Sequence, residues 1–272
     1  MKKFVKYYIV TYNQPEQLQI TYNTLLKTMP TVNSPSYRNF EINVINNHSN
    51  FKLDERDYVA CVYHNQLRPD NSYGYLARNW NQAILLGFKN TVNPDTEWVG
   101  LVQSDVVFQE GWFEKFLKIK DIDLFQWGPG DQFVLLNIGA FKKVGWFDER
   151  FTSLAMQEYD YLLRTYIHLK ERCMLQGHYG KRGIFNSPPF NAIAREEKHR
   201  TGHSTAAHQQ QHRWFNVKWG PKMDNILRGG GERKWAQVVN ELLHKGKLQV
   251  PKEINWYPYI YEGDSSRYEI YV

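Results

Sequence analysis

The chain contains little cysteine and no long apolar run. Among its 272 residues only Cys61 and Cys173 carry thiols, so we expect no disulfide framework and a reducing compartment. The mean hydropathy is −0.62, and no unbroken apolar stretch is long enough for a membrane span. Lys6 and Asn13 interrupt the apolar N-terminal stretch, which predicts a first strand rather than a signal peptide. These features predict a cytoplasmic protein without a membrane span.

Aromatic residues and positive charge are abundant by contrast. Aromatics make up 15% of the chain and the net charge is +6. An excess of positive charge is typical of proteins that bind phosphorylated ligands, nucleic acid or anionic lipid, but an ordinary solvated basic surface explains it equally well. The basic residues are scattered and no stacked aromatic motif of the RNA-binding kind accompanies them, so we expect no nucleic-acid partner.

Short apolar runs alternate with helical patterns along the first half of the chain. Strands are predicted at Val5–Val10, Phe40–Ile45, Tyr58–Tyr63 and Glu97–Val102, and helices from Pro15 and over Leu76–Phe88. A further strand and turn are expected at Phe133–Phe141, and a further helix at Glu158–Leu169. This alternation predicts an α/β fold with a mostly parallel central sheet flanked by helices.

Polar residues follow several of the predicted strands. Thr11–Asn13, Asn46–Ser49 and Ser104–Asp105 each come directly after an apolar run. Ligands of parallel sheets bind beyond the carboxyl ends of the strands. The sequence therefore predicts a ligand site at this edge of the sheet.

The composition changes from about Glu196, where His, Gln, Trp and Gly become frequent and the apolar period weakens. A flexible joint is predicted at Gly229–Gly231 and a short helix at Trp235–Leu243. We expect a main domain over residues 1–220 and a helical or irregular extension over 221–272 that packs on it.

Several motifs follow one another in an order typical of one enzyme family. The first half holds Ile9-Val-Thr-Tyr-Asn13, Val44-Ile-Asn-Asn-His-Ser49, Asn71-Ser-Tyr-Gly-Tyr-Leu-Ala-Arg-Asn-Trp-Asn81 and Gln103-Ser-Asp105. The second half holds Gly145-Trp-Phe-Asp-Glu149, Gln157-Glu-Tyr-Asp160 with Arg164, His199-Arg-Thr-Gly-His-Ser204 and Phe215-Asn-Val-Lys-Trp-Gly220. From Val5 to Gly220 the chain resembles the GT-A glycosyltransferases, particularly the inverting, family 2-like enzymes.

Three positions depart from the motifs of that family. Asp105 is a single acid where the family carries D-x-D. Asn46 replaces the Asp of V-x-D-N-x-S, so the usual contact with the nucleobase must change. Gln157-Glu158 replaces the E-D pair, which lengthens the expected base by one methylene group.

The resemblance implies a metal site and a catalytic base. Asp105 would bind Mn²⁺ or Mg²⁺, which take oxygen ligands and often keep waters and substrate phosphates; a strand-end Asp that caps the next turn is the alternative. His199 would be a second metal ligand, with His203 as its rival. Glu158 would be the general base, and Asp160 is either a rival base or the partner of Arg164 at helical spacing.

Further residues would bind the two substrates. The expected donor contacts are Thr11, Tyr12, Asn13, Asn46, Arg78, Asn79 and Ser104. Arg78 and Asn79 open a predicted helix, where a guanidinium and backbone N–H groups suit phosphate, although an ordinary capping segment has the same pattern. Trp127, Asp131 and Asp160 are candidates for the acceptor pocket. His208 and His212 share helical spacing, but without an H-E-x-x-H pattern we expect a solvated face there rather than zinc.

The resemblance implies inverting transfer from a nucleotide-sugar, with UDP-sugar expected, to a glycan hydroxyl. Two other classes stay open. A nucleotidyltransferase would share the sheet and a metal carboxylate, but Thr11–Pro15 is not the Gly-rich, basic phosphate loop it usually needs. A non-catalytic module that binds glycan or nucleic acid would account for the charge and aromatics alone.

Overall fold

The computed structural model describes most of the first two thirds of the chain and one later helix. The described residues are 2–12, 14–31, 33–34, 37–47, 59–65, 76–127, 132–151, 156–174, 190–192, 205–224 and 245. For residues 59–60, 127, 190–192 and 205–208 the description is of the backbone alone.

A seven-stranded sheet forms the centre of the molecule. Its strands are β1 (Lys3–Tyr12), β2 (Phe40–Asn47), β3 (Val59–Asn65), β4 (Thr96–Gln103), β6 (Leu124–Trp127), β7 (Phe133–Asn137) and β8 (Cys173–Met174). They lie in the order β3-β2-β1-β4-β7-β6-β8, and β7 runs antiparallel to its neighbours β4 and β6. A separate antiparallel pair joins β5 (Val106–Phe108) to β9 (Phe190–Ala192). The sheet is therefore mostly parallel, as predicted.

Helices cover both faces of this sheet. They are α1 (Pro15–Thr28), α2 (Leu76–Phe88), α3 (Trp112–Leu117), α4 (Ile138–Val144), α5 (Met156–Leu169) and α6 (Thr205–Trp219). One core contains side chains of α1 and α3, and the other contains side chains of α2, α4, α5 and α6. Among the helices of the described ranges, none combines the length and apolar character needed to cross a membrane.

The central strand β1 shows why the first strand could be recognised from sequence. Tyr7 and Ile9 face the α1 core, whereas Tyr8 and Val10 face the α2 core, and all four are buried. A parallel strand covered on both faces is apolar almost throughout, because neither side meets water. Since β2 lies on one side of β1 and β4 on the other, the order of the strands reverses at β1, and ligands of such sheets bind at that point.

Two parts of the second half differ from the sequence prediction. A strand and turn are expected over Phe133–Phe141, but the strand ends at Asn137 and helix α4 follows it instead of a turn. The helix begins there because the Asn137 Oδ1 accepts a hydrogen bond from the Ala140 N–H at 2.8 Å and caps it. Helix α6 was not predicted. Its buried positions include Gln211 beside Phe215 and Trp219, so its buried face lacks a clean apolar period.

Candidate active site

The carboxyl ends of β1, β2, β3 and β4 lie together at one edge of the sheet. Thr11 pairs with Asn46, which in turn pairs with His64 on β3. The Ser104 N–H donates to the carbonyl of Val10 at 3.1 Å, which joins the end of β4 to β1. The strand ends that the sequence predicts as ligand-binding therefore occupy one edge.

Asp105 comes directly after β4 at this edge. Only 3% of its surface is exposed, and Thr21 holds the preceding turn by donating from Oγ1 to the Ser104 carbonyl at 2.8 Å. Within the described ranges no three His, Cys, Asp or Glu side chains gather into a group that could hold a metal. A single hard oxygen donor fits Mn²⁺ or Mg²⁺, because these cations take their other ligands from water and phosphates.

The Thr11 hydroxyl is a buried polar group at the same edge. Its side chain is 1% exposed, and its Oγ1 has no hydrogen-bond partner among the described residues. A buried hydroxyl without a partner is costly, and a ligand at the strand ends would relieve that cost. Thr11 therefore suits the donor contact that the sequence predicts, and Tyr12, half-buried, follows it at the end of β1.

Amide side chains connect the strand ends to α2. The Asn65 Nδ2 lies 2.9 Å from the Asn47 Oδ1, 3.2 Å from the Asn79 Oδ1 and 2.9 Å from the Gln82 Oε1. Gln82 returns a hydrogen bond to the Asn65 Oδ1 at 3.1 Å. Asn79, a predicted phosphate contact, is thus buried in this network, whereas Arg78 lies on the exposed side of the first turn of α2.

Asn81 holds the Gly145–Glu149 turn against α2. Its Nδ2 donates to the Phe147 carbonyl at 2.9 Å and to the Glu149 Oε1 at 2.8 Å, and its Oδ1 accepts from the Phe147 N–H at 2.8 Å. Sequence reasoning did not single out Asn81. The available signal was a polar residue on the apolar face of a predicted helix, since Asn81 is 3% exposed. One side chain thereby satisfies both backbone groups of Phe147.

The same turn packs on α5 and carries a perturbed acid. The ring of Phe147 stacks on that of Tyr161 with centroids 3.7 Å apart and planes 6° from parallel. Burial raises the pKa of Glu149 above its usual value, although the hydrogen bond from Asn81 and the charge of Arg78 oppose this shift. Through these contacts, the turn links α2 to the helix that bears Glu158.

Glu158 lies in the first turn of α5 and is half-buried, next to the buried Gln157. A helix N-terminus stabilises a carboxylate through the helix dipole, so this position suits an acid whether or not it is catalytic. The structure thus places Glu158 at a helix start, and its predicted role as a base stays a prediction.

Asp160 is the centre of a buried ionic cluster. Its Oδ2 accepts from the Arg164 Nε at 3.0 Å and Nη2 at 2.8 Å, and its Oδ1 contacts the Lys218 Nζ at 2.5 Å and the Trp219 Nε1 at 2.9 Å. Asp160 and Arg164 are both 0% exposed. Of the roles considered for Asp160, this geometry favours the pairing with Arg164 over contact with an acceptor.

Lys218 extends this cluster to the Gly145–Glu149 turn. Its Nζ lies 2.9 Å from the Asp148 Oδ2, and Arg150 binds the same carboxylate with two further hydrogen bonds. Burial opposes the charge of Asp148, but the hydrogen bonds from Arg150 and the charge of Lys218 lower its pKa to about 2. Burial lowers the pKa of Lys218 itself, although Asp160 opposes that shift. The cluster thereby ties α6 to α5 and to the turn.

Several predicted residues lie outside the described residues, namely Asn13, Asp131, His199 and His203. Trp127 ends β6 and is described by its backbone alone, as is His208 in α6.

For His212 the expectation of a solvated face is wrong. Its Nδ1 lies 2.7 Å from the Asp224 Oδ2, and the two side chains are only 13% and 9% exposed.

Comparisons with known proteins give similarity of structure rather than of sequence. No family model and no curated protein sequence matches the chain. A structure of S. aureus TarS covering its residues 1–349 aligns with a TM-score of 0.54 and 15% identity, over 89% of this chain and 71% of that one. A second TarS structure aligns with a TM-score of 0.54 and 14% identity, over 90% of this chain but 43% of the other.

A weaker similarity, with a TM-score of 0.48 and 9% identity, is to the catalytic domain of Drosophila β1,4-galactosyltransferase 7 in complex with xylobiose, over 77% of this chain and 79% of that one. Identities this low relate folds rather than activities. The strand order, the helices on both faces and the match to TarS agree with one another, and the chain therefore has the GT-A fold.

Proposed function

We propose that the protein is a metal-dependent, inverting glycosyltransferase that moves a sugar from a nucleotide-sugar, with UDP-sugar expected, to a glycan hydroxyl. The observation that carries the proposal is the position of Asp105. It is a buried carboxylate at the carboxyl end of β4, beside the point where the strand order reverses at β1. Ligands bind at this point in open α/β sheets.

The donor would lie along the strand ends. Thr11, Tyr12, Asn46 and Ser104 would contact the nucleoside, and Arg78 would reach the diphosphate from the exposed side of α2. Asn79 would act by holding the amide network in place, because its Oδ1 already accepts from Asn65. Asn13 is a further expected donor contact on sequence grounds.

Asp105, with His199 as the expected second ligand, would hold Mn²⁺ or Mg²⁺. When bound, the metal would neutralise negative charge on the departing nucleoside diphosphate. The oxygen donor of Asp105 fits either cation, and the single protein carboxylate leaves coordination positions for phosphate oxygens.

Glu158 would take the proton from the acceptor hydroxyl as it attacks the anomeric carbon. A direct displacement of this kind inverts the configuration at that carbon. Two contacts would hold α5, the helix that bears Glu158, in place: the stacking of Phe147 on Tyr161 and the ionic cluster around Asp160. Trp127 and Asp131 remain candidates for the acceptor pocket, and a cytoplasmic location remains part of the proposal.

A thermal-shift screen of nucleotide-sugars tests this function. A ligand at about 100 times its Kd stabilises the native state by about 2.7 kcal/mol, which corresponds to a rise in Tm of roughly 5–10 °C for a chain of this size. We expect UDP-sugars to give this rise with Mn²⁺ and a smaller one without it.

Other outcomes of the same screen would favour the rival functions. Stabilisation by nucleoside triphosphates, with release of pyrophosphate when a sugar phosphate is added, would favour a nucleotidyltransferase. A response only to random oligonucleotides, weakening with salt, would favour a nucleic-acid binding module. The absence of any response to nucleotide-sugars would contradict the proposal.

A further inference from the structure

Helix α1 presents a row of threonine hydroxyls to the segment that follows β4. The threonine row consists of Thr21, Thr24 and Thr28, which are three and four residues apart and therefore lie on one face of the helix. The first of them donates from Oγ1 to the Ser104 carbonyl at 2.8 Å. The other two accept, from the backbone N–H of Phe108 at 3.2 Å and from the Trp112 Nε1 at 2.9 Å. One face of α1 thus contacts the chain at three successive points, beginning at the residue before Asp105.

The three hydroxyls use their protons in two different ways. Thr24 donates to the Thr21 carbonyl at 3.2 Å and Thr28 donates to the Thr24 carbonyl at 2.8 Å, so both protons stay within the helix. A hydroxyl oxygen can accept while its proton is donated, which is how these two hold the N–H groups of the other segment. Thr21 instead directs its proton out of the helix, to the Ser104 carbonyl.

The contact of Thr21 fixes the backbone that carries Asp105. Ser104 and Asp105 form the turn between β4 and β5, and the Ser104 N–H donates to the Val10 carbonyl at 3.1 Å, so β1 holds one side of Ser104 and α1 holds the other. The Ser104 carbonyl belongs to the planar peptide group that leads into Asp105, so the orientation of that plane sets the direction in which the Asp105 side chain leaves the backbone. Thr21, Ser104 and Asp105 are all buried, so bulk water would not readily replace a hydrogen bond lost here.

We propose that the threonine row positions the metal ligand: Thr21, by fixing the peptide between Ser104 and Asp105, holds the Asp105 carboxylate where it binds Mn²⁺ or Mg²⁺. The inference rests on the proposed function, because it assumes that Asp105 binds the cation. Mg²⁺ in particular requires near-ideal coordination geometry, so a carboxylate displaced by about 0.5 Å binds it less well. Groups that orient a metal ligand commonly change metal affinity by about 10–100-fold when they are replaced.

The test is the Mn²⁺ concentration that half-maximally strengthens UDP binding, measured by calorimetry on the full chain. Thr21→Val keeps the shape of the side chain and removes its hydroxyl, and we expect it to raise this concentration about tenfold. The affinity for UDP without Mn²⁺ should stay at the wild-type value, because Thr21 acts through the metal ligand. Thr21→Ser keeps the hydroxyl and loses only the methyl group, so it should restore the wild-type Mn²⁺ requirement.

Thr28→Val provides the matched control. It makes the same chemical change on the same face of α1, but its contact is with Trp112 in α3 rather than with the turn that carries Asp105. Thermal melts should show both valine variants unfolding below the wild type, whereas only Thr21→Val should change the Mn²⁺ requirement. Thr24→Val loses the contact with Phe108 at the end of β5 and should give a smaller rise than Thr21→Val.

Each remaining outcome decides the question. An unchanged Mn²⁺ requirement in Thr21→Val, an equal rise in Thr28→Val, or an equal loss of UDP affinity with and without Mn²⁺ would overturn the inference. If Thr21→Val does not fold, Thr24→Val decides: a Mn²⁺ requirement above that of Thr28→Val supports the inference, and an equal one contradicts it. A wild type that binds no UDP, or binds it equally well without Mn²⁺, would instead overturn the proposed function itself.

Discussion

Replacing Glu158 with Gln is expected to lower kcat by about 10²–10⁴, the usual effect of losing a general base. Gln keeps the shape of the side chain in the first turn of α5 but cannot accept the proton of the acceptor hydroxyl. The affinity for the donor should stay near the wild-type value, because the base acts mainly in the transition state. Steady-state kinetics and calorimetry with the donor measure the two quantities separately.

Glu16→Gln is a matched control for this variant. Glu16 also lies in the first turn of a helix, α1, so both substitutions remove the same favourable interaction with a helix N-terminus. Glu16 is exposed, and its replacement should leave kcat unchanged. A fully active Glu158→Gln enzyme, or a product that retains the anomeric configuration of the donor by proton NMR, would remove Glu158 from this role.

The second large effect is expected on stability. Asp160→Asn removes the negative charge from a cluster in which Arg164 is 0% exposed and the Lys218 side chain is 6% exposed. The buried Arg164 would then lose its carboxylate partner, and Lys218 would keep only that of Asp148; such a loss typically costs about 3–5 kcal/mol. The free energy of unfolding in urea measures the effect.

Lys89→Gln is the corresponding surface control. The Lys89 side chain is 61% exposed, and its Nζ lies 3.0 Å from the Asp95 carboxylate, in an ion pair that is solvated. Exposed pairs of this kind contribute about 0–1 kcal/mol. If Asp160→Asn cost no more than Lys89→Gln, the cluster would not be the connection that holds α6 and the Gly145–Glu149 turn to α5.

The arrangement of the sheet could be predicted because each buried strand is apolar on both faces. The extent of the strands was harder to predict. β2 continues through Asn46 and Asn47, since these polar residues remain paired with β1 and β3 at the carboxyl end of the sheet. Polar residues at a strand end resemble the beginning of a loop in sequence, although here they are part of the sheet.

The contacts that hold the site together could not be predicted from local patterns. Asn81 binds a turn 66 residues later, and Lys218 binds a carboxylate 70 residues earlier. Such pairs leave no periodic signal, because each depends on how distant segments pack. The pairing of Asp160 with Arg164 was predictable because its members are four residues apart on one helix.

Calorimetry of UDP binding to the wild type and to Asp105→Asn, with and without Mn²⁺, tests the central claim most directly. Asn keeps the size of the side chain but removes the charge that would hold the cation, and a thermal melt of each protein verifies that the fold is intact. We predict that Mn²⁺ strengthens UDP binding to the wild type and has no such effect on Asp105→Asn. Undiminished metal-dependent affinity in the variant would contradict a metal site at Asp105.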